Sequence, residues 1–398
     1  MNKKTIKNLP PELIRGKRAL VRLDLNVPLD SEQSITDDTR IRASLPTIQY
    51  LLNVGARPVL LSHLGRPKGK PELKYSLEPV ADRLEELLPN TKIIFVETTD
   101  TDEAVKASHE LGANEVLLLE NTRFLGGEET NDARLARSLA ELGDFFVNDA
   151  FGAAHRAHAS TAGVAEHLRP AVAGLLMEKE LEYLGGVLAA PKRPFVAILG
   201  GSKISGKIDV IRELLPKVDA MLIGGAMACT FYKAMGLETG KSLVEPDRVD
   251  LAKELLDTAG AKLTLPHDAV VAASMDAGAG HPVSRDSIPA GEAMFDIGPK
   301  SAESFSRAIA SAKTIIWNGP MGVFEKPPFD AGTMAIARAM ASATKGGATT
   351  IIGGGDSAAA IAVAGLESEV SHVSTGGGAS LEFLEGKTLP GVAVLDDR

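Results

Sequence analysis

A chain of 398 residues is too long for one ordinary hydrophobic core, so two domains of about 150 to 200 residues each are expected. Its formal charge of -9 argues against nucleic acid as the main partner, and an anionic small ligand would need a local basic cluster working against the global field. The single cysteine, Cys229, excludes an internal disulfide or a cysteine-cluster zinc site, and neither a signal peptide nor a membrane span can be read, so a cytoplasmic chain with no membrane partner is expected.

In the first half, strand candidates recur at Arg18 to Asp24, Arg57 to Ser62, Lys92 to Val96, Val116 to Glu120 and Asp144 to Asp149, with helical stretches such as Leu77 to Leu88 and Ala133 to Leu142 between them. This alternation implies a parallel sheet covered by helices, and in such sheets ligands bind beyond the carboxyl ends of the strands. Polar residues sit there: Asp24 and Asn26 after the first run, His63 and Arg66 after the second, Asn121 and Arg123 after the fourth, His155 and Arg156 after the fifth, and Arg40 on the long connection after the first. One arginine after a strand is usually a solvated loop residue. Four loops offering one at the same edge read instead as a cradle for a small, multiply charged anion, because a guanidinium grips phosphate or carboxylate with paired hydrogen bonds. His155 and His158 lack a clear third partner and are expected to give hydrogen bonds or packing rather than metal ligation.

A helical stretch from about Met177 to Leu188, stopped by Pro191 and Pro194, places a stiff connector and a domain boundary near Gly185-Gly186. The run FVAIL then enters GGSKISGK, whose span Gly201 to Lys207 fits the first seven positions of a P-loop; Ile208 follows where a magnesium-binding hydroxyl would stand. Glycines, a helix start and two lysines four apart outline a phosphate site, with Lys203 and Lys207 expected to reach the same side. An ordinary strand-to-helix turn with two solvated lysines is the competing reading.

Further strands are expected at Val218 to Ile223, Lys262 to Leu265, Lys313 to Trp317, Thr349 to Ile352 and His372 to Thr375, several of them ending in glycine clusters. In GGGDS, Gly353 to Ser357, an aspartate among backbone donors would repel nucleotide phosphates unless a divalent cation bridges them, so Asp356 is the candidate Mg²⁺ ligand. GGGDSA also fits a dinucleotide fingerprint, but no acidic residue follows about 20 positions on to hold a ribose.

Taken together, VRLDLNVP, SHLGRP, LLENTRF, NDAFGAAHRAHAS, AILGGSKISGKI, IIWNGPMGVFE, IIGGGDS and STGGGASLEFLEGK, in that order over nearly the whole chain, resemble phosphoglycerate kinases. The resemblance implies an α/β fold of two doubly wound, Rossmann-like parallel-sheet domains joined by a helix and hinge. Residues 1–184 plus 388–398 would bind 3-phosphoglycerate, and residues 185–387 the nucleotide. It implies that Asp24, Asn26, Arg40, His63, Arg66, Arg123 and Arg156 match the glycerate site. Lys203, Lys207, Gly224, Gly225, Gly298, Asn318, Glu325, Gly353, Gly354, Gly355, Asp356 and Ser357 match nucleotide positions, with Asp356 on the metal. Arg40, Lys203, Gly354 and Gly377 match catalytic positions, Gly377 lying in the Gly376 to Gly378 turn before a helix that faces the phosphates. Leu25 and Ala153 depart from residues common in the family without removing a charged contact. The implied activity is reversible phosphoryl transfer between 1,3-bisphosphoglycerate and MgADP, giving 3-phosphoglycerate and MgATP, by a monomer that closes about a hinge. No convincing catalytic base is present, and a carboxylate nucleophile, ionised at neutral pH, needs none. A non-catalytic two-domain anion-binding protein is the alternative outside enzymes.

Overall fold

The computed structural model describes residues 2–398, which divide into two units: 2–182 with Thr388–Arg398, and Tyr183–Lys387. The first unit is built on β1 (Arg18–Arg22), β2 (Arg57–Leu61), β3 (Lys92–Val96), β4 (Glu115–Leu119), β5 (Phe145–Asn148) and β6 (Ala171–Ala173). These form one sheet in the order β3-β4-β2-β1-β5-β6, parallel throughout. Helices cover its faces, so β1, β2, β4 and β5 are apolar and buried along nearly their whole length. Helix starts follow local chemistry. Asp132 accepts from Arg134 N at 2.9 Å and Leu135 N at 3.0 Å, satisfying donors that have no partner inside helix Ala133–Ala140, an arrangement worth about 1 kcal/mol.

The chain's end lies in this unit. Asn148 Nδ2 donates to Gly391 O at 2.8 Å, Lys4 N donates to Asp396 O at 2.8 Å, and Asp396 Oδ2 accepts from Ala171 N at 3.1 Å. The helix Leu175–Ala189 carries the change of unit between Glu182 and Tyr183. Gly185 and Gly186 lie inside that helix rather than in a break, because Leu184 and Val187 on either side of the pair are buried and tertiary packing outweighs the poor helix propensity of glycine.

The second unit contains β7 (Phe195–Leu199), β8 (Ala220–Ile223), β9 (Leu263–Thr264), β10 (Asp268–Ala272), β11 (His281–Ser284), β12 (Ala293–Ile297), β13 (Thr314–Asn318), β14 (Thr349–Gly353) and β15 (His372–Val373). Six of them make a second parallel sheet, β15-β14-β13-β7-β8-β9. The sequence reading did not foresee the antiparallel sheet β11-β10-β12 inserted between β9 and β13.

Candidate functional site

Topology puts a crevice at the carboxyl edge of each sheet. In the first, the connection from β1 leads to β2 on one side while that from β5 leads to β6 on the other, so these neighbours part at their carboxyl ends. In the second, β7 leads to β8 and β13 to β14, again in opposite directions from adjacent strands.

At the first crevice the backbone passes from β1 into Asp24, whose two carboxylate oxygens each lie 2.9 Å from Arg40 Nη1. Asn26 Oδ1 accepts from Gly65 N at 2.8 Å, tying the loop after β1 to the loop after β2. Arg123 Nη1 donates to Gly65 O at 2.7 Å, which brings in the loop after β4, and Arg123 Nε stands 3.3 Å from Glu129. His63 is buried, with Nδ1 3.1 Å from Arg22 Nη2. Burial, reinforced by Arg22, Arg123 and Arg40, holds its pKa well below the ordinary imidazole range, so the ring is neutral at pH 7. Arg66 and Arg156 are exposed, and Arg156 Nε lies 3.1 Å from His155 Nε2. All seven residues assigned to the glycerate site therefore lie on the loops after β1, β2, β4 and β5 or, for Arg40, on the second residue of helix Thr39–Asn53.

At the second crevice three loops are sewn together through backbone. Gly200 N donates to Asn318 O at 3.0 Å, Gly201 N to Pro320 O at 2.9 Å and Gly225 N to Met321 O at 3.0 Å. Gly225 has φ +69, and a Cβ there would stand 2.4 Å from Gly201 O, so only glycine lets these loops meet so closely. Lys207 Nζ donates to Asn318 Oδ1. An ammonium only donates, so the amide oxygen faces Lys207, and Nδ2, which has no partner although Asn318 is 1% exposed, lies on the side of Gly353-Gly354. Gly354 has φ +88 and precedes helix Gly355–Val363, whose first turn carries Asp356. Burial lowers the Lys207 pKa to about 8, against the opposing pull of Asp356 and Glu385. Buried Ser357 accepts from Gly319 N at 2.5 Å, bracing the loop after β13.

Beside these donors lies a cavity of about 520 Å³, floored by Met294, Phe295 and Ala273 and edged by Lys241, Glu325 and Asp356. Gly225 lines it, whereas Gly224 and Gly298 do not: Gly224 N is bonded to Leu199 O at 2.8 Å, and Gly298 is the N-cap of helix Pro299–Ser311. An unpartnered donor, an ammonium and a helix N-terminus beside a mostly apolar cavity can hold a polyphosphate with a flat, weakly polar base.

One sequence expectation is corrected. Helix Ile208–Leu214 begins only after Lys207, and Lys203 sits in the preceding loop, so the two lysines do not share a helix face. Lys207 is engaged with Asn318; Lys203 is exposed. Some contributors were not foreseen. Glu245 Oε2 accepts from Ser205 N at 3.0 Å and so tethers the lysine loop, and Glu128 and Ser160 stand behind His63. Arg22 alone left a visible signal, a charge inside the apolar run RALVRL.

A profile described as "Phosphoglycerate kinase" matches residues 10–387. The phosphoglycerate kinase of Chloroflexus aggregans is 60% identical over the full length of both chains, and that of Synechococcus elongatus is 57% identical over the same extent. Among solved structures, phosphoglycerate kinase from Coxiella burnetii superposes with a TM-score of 0.87 at 43% identity, and that from Pyrococcus horikoshii with 0.84 at 32%, each covering 98% of both chains. Related along its whole length, the chain belongs to the phosphoglycerate kinase family, phosphotransferases with a carboxyl group as acceptor.

Proposed function

We propose that the first unit binds 3-phosphoglycerate or 1,3-bisphosphoglycerate and the second binds ADP or ATP, and that the two reactants meet when the enzyme closes about its connector. The observation that carries this reading is the pair of crevices with unlike chemistry: a cluster of guanidinium groups in one, and in the other lysine ammonium groups and an unpartnered amide donor beside an apolar cavity. In the direction of ATP synthesis, a β-phosphate oxygen of ADP attacks the 1-phosphorus of 1,3-bisphosphoglycerate. A new P–O bond forms, the acyl O–P bond breaks, and its electron pair stays on the carboxylate, so no proton moves. Catalysis then consists of alignment and charge stabilisation on a loose transition state. Arg40 and Lys203 meet charge on the transferring group, Lys207 and Asn318 hold nucleotide phosphate, and backbone N–H groups at Gly354 and Gly377 face it.

The carboxylates Asp356 and Glu325 beside the cavity fit Mg²⁺, which needs only one or two protein oxygens when phosphates and waters supply the rest. When bound with the nucleotide, it neutralises charge on the phosphate oxygens. A monomer working in the cytoplasm is part of the same reading. Direct transfer needs reacting atoms about 3 to 3.5 Å apart, which motivates closure. An assay of ATP-dependent acyl-phosphate formation from 3-phosphoglycerate tests the chemistry, and absence of turnover by folded protein would refute it. Small-angle scattering tests closure: the radius of gyration should fall with both ligands together more than with either, and equal radii in active protein would rule closure out.

A further inference from the structure

We infer that Glu128, Ser160 and Arg22 form a buried relay that fixes the tautomer of His63, so that the ring offers one Nε2–H donor to the anion bound beside it. The inference rests on reading this crevice as the glycerate site.

The relay can be followed proton by proton. Arg22 is 1% exposed, and its guanidinium is held from three sides: Nη1 donates to Leu23 O, Nε to Ser160 Oγ at 2.8 Å, and Nη2 approaches His63 Nδ1 at 3.1 Å. A guanidinium has donors only and keeps its proton, so Nδ1 must be the acceptor. A neutral ring that accepts at Nδ1 carries its hydrogen on Nε2. The next link is set just as firmly. Ser160 has one hydroxyl proton, and it goes to Glu128 Oε1 at 2.5 Å, so the oxygen's lone pairs are what Arg22 meets. Glu128 is fully buried and also accepts from Ser160 N at 3.0 Å and from Thr122 Oγ1 at 3.2 Å, which leaves its carboxylate little freedom to turn.

The consequence is chemical. The Nε2–H tautomer donates to a carboxylate or phosphate oxygen without adding another full charge among Arg22, Arg40 and Arg123. The other tautomer would set a lone pair against the same anion. Glu128, Ser160 and Arg22 thus act through His63 as positioning residues, linking the strand β1 to the loops after β4 and β5.

The test reads the ring directly. In the full-length chain labelled with ¹⁵N-histidine, a two-bond ¹H–¹⁵N spectrum distinguishes the tautomers, with His63 identified by its loss in His63→Gln. The expected wild-type pattern is Nε2-protonated at pH 7. Ser160→Ala removes the anchor on Arg22 Nε and lets the guanidinium turn from Nδ1, so it should give mixed tautomers and raise KM for 3-phosphoglycerate about twofold for an even mixture, because only the Nε2–H fraction binds, with the nucleotide KM unmoved; Ser160→Thr, which keeps the hydroxyl, should restore both. Should Ser160→Ala fail to fold, Glu128→Gln takes its place with the same expected readouts. An Nδ1-protonated ring in the unmodified chain, or a wild-type ring pattern in the variants, overturns the relay. If the expected ring pattern appeared in a chain that does not turn over 3-phosphoglycerate, the relay would stand and the functional reading would fail.

Discussion

Lys207 should make nucleotide binding weaken as pH rises through about 8. Its ammonium is half-buried beside Asn318, and desolvation there brings its pKa from 10.5 down to about 8 in the free protein. Phosphate binds the charged form, so the apparent affinity scales with the fraction protonated, which is about 0.9 at pH 7 and about 0.1 at pH 9 for a pKa near 8. The dissociation constant of MgADP should therefore rise about tenfold between those two pH values. In the Mg²⁺ complex the terminal phosphate of ADP, whose second pKa of about 6 is lowered further by the metal, is ionised across this range, so its own titration contributes little. Titration calorimetry at saturating Mg²⁺ measures the change, and near pH 8 it should also register uptake of about half a proton per nucleotide when buffers of different ionisation enthalpy are compared. Lys207→Arg, charged at every pH in the range, should bind with a nearly flat profile. Constant affinity from pH 7 to 9 in the unmodified protein, or an unchanged slope in Lys207→Arg, would refute the reasoning.

Asp296 supplies a stability prediction of definite sign. It is fully buried, accepts from Gly332 N at 2.7 Å and Ile297 N at 2.8 Å, and burial raises its pKa from 3.8 to about 8. A folded pKa above the unfolded one gives stability that is fully present below pH 3.8 and is lost as pH rises through 8, at up to about 1.4 kcal/mol per pH unit. Thermal melts from pH 5 to 9 should show this loss, and Asp296→Asn should remove one proton's worth of the slope; an unchanged slope would exclude Asp296 as its source. Lys203→Ala should lower kcat far more than it alters nucleotide KM, because its exposed ammonium is proposed to meet charge that develops during transfer, and the opposite split would assign it to ground-state binding. Asp356→Asn should weaken use of MgATP, with partial recovery at raised Mg²⁺, and activity indifferent to Mg²⁺ would remove Asp356 from the metal.

The strands that bear the two crevices were legible because each is a short apolar run followed at once by polar residues or glycines, as in LLSHLGR and LLLENTR. What escaped did so for identifiable reasons. The sheet β11-β10-β12 has an exposed strand, His281–Ser284, with a proline inside it and no apolar alternation to announce it. Glu245 and Glu128 look like surface acids in the sequence, and only the tertiary fold shows their carboxylates spent on Ser205 N and Ser160. The spacing of Lys203 and Lys207 suggested a shared helix face, but Gly201, at φ +113, opens a loop that runs to Lys207, which is itself the N-cap. Periodicity arguments assume the element has already begun, and here it had not.

The arginines of the first crevice divide into two kinds, and the division bears on how a chain with formal charge -9 gathers an anion. Arg22 and Arg123 are buried and held by the protein itself: Arg22 by Ser160 and backbone, Arg123 through Nη1 by Gly65 O, while its Nε stands 3.3 Å from Glu129 without a hydrogen-bond partner. Arg40 lies against both oxygens of Asp24 while its side chain remains 37% exposed. Arg66 and Arg156 are exposed and make no ion pair with an acidic side chain among the described residues. A desolvated guanidinium already hydrogen-bonded to the protein fixes geometry and lends field, but it has few hydrogen bonds left to give a ligand. Exposed and unpaired ones can turn towards an arriving phosphate and lose only weak hydration in doing so. Removing a buried member should therefore damage the fold and the binding together, since it takes the donor from His63 Nδ1 or from Gly65 O. Removing an exposed member costs recognition alone, and its effect should diminish with added salt as surface charges are screened.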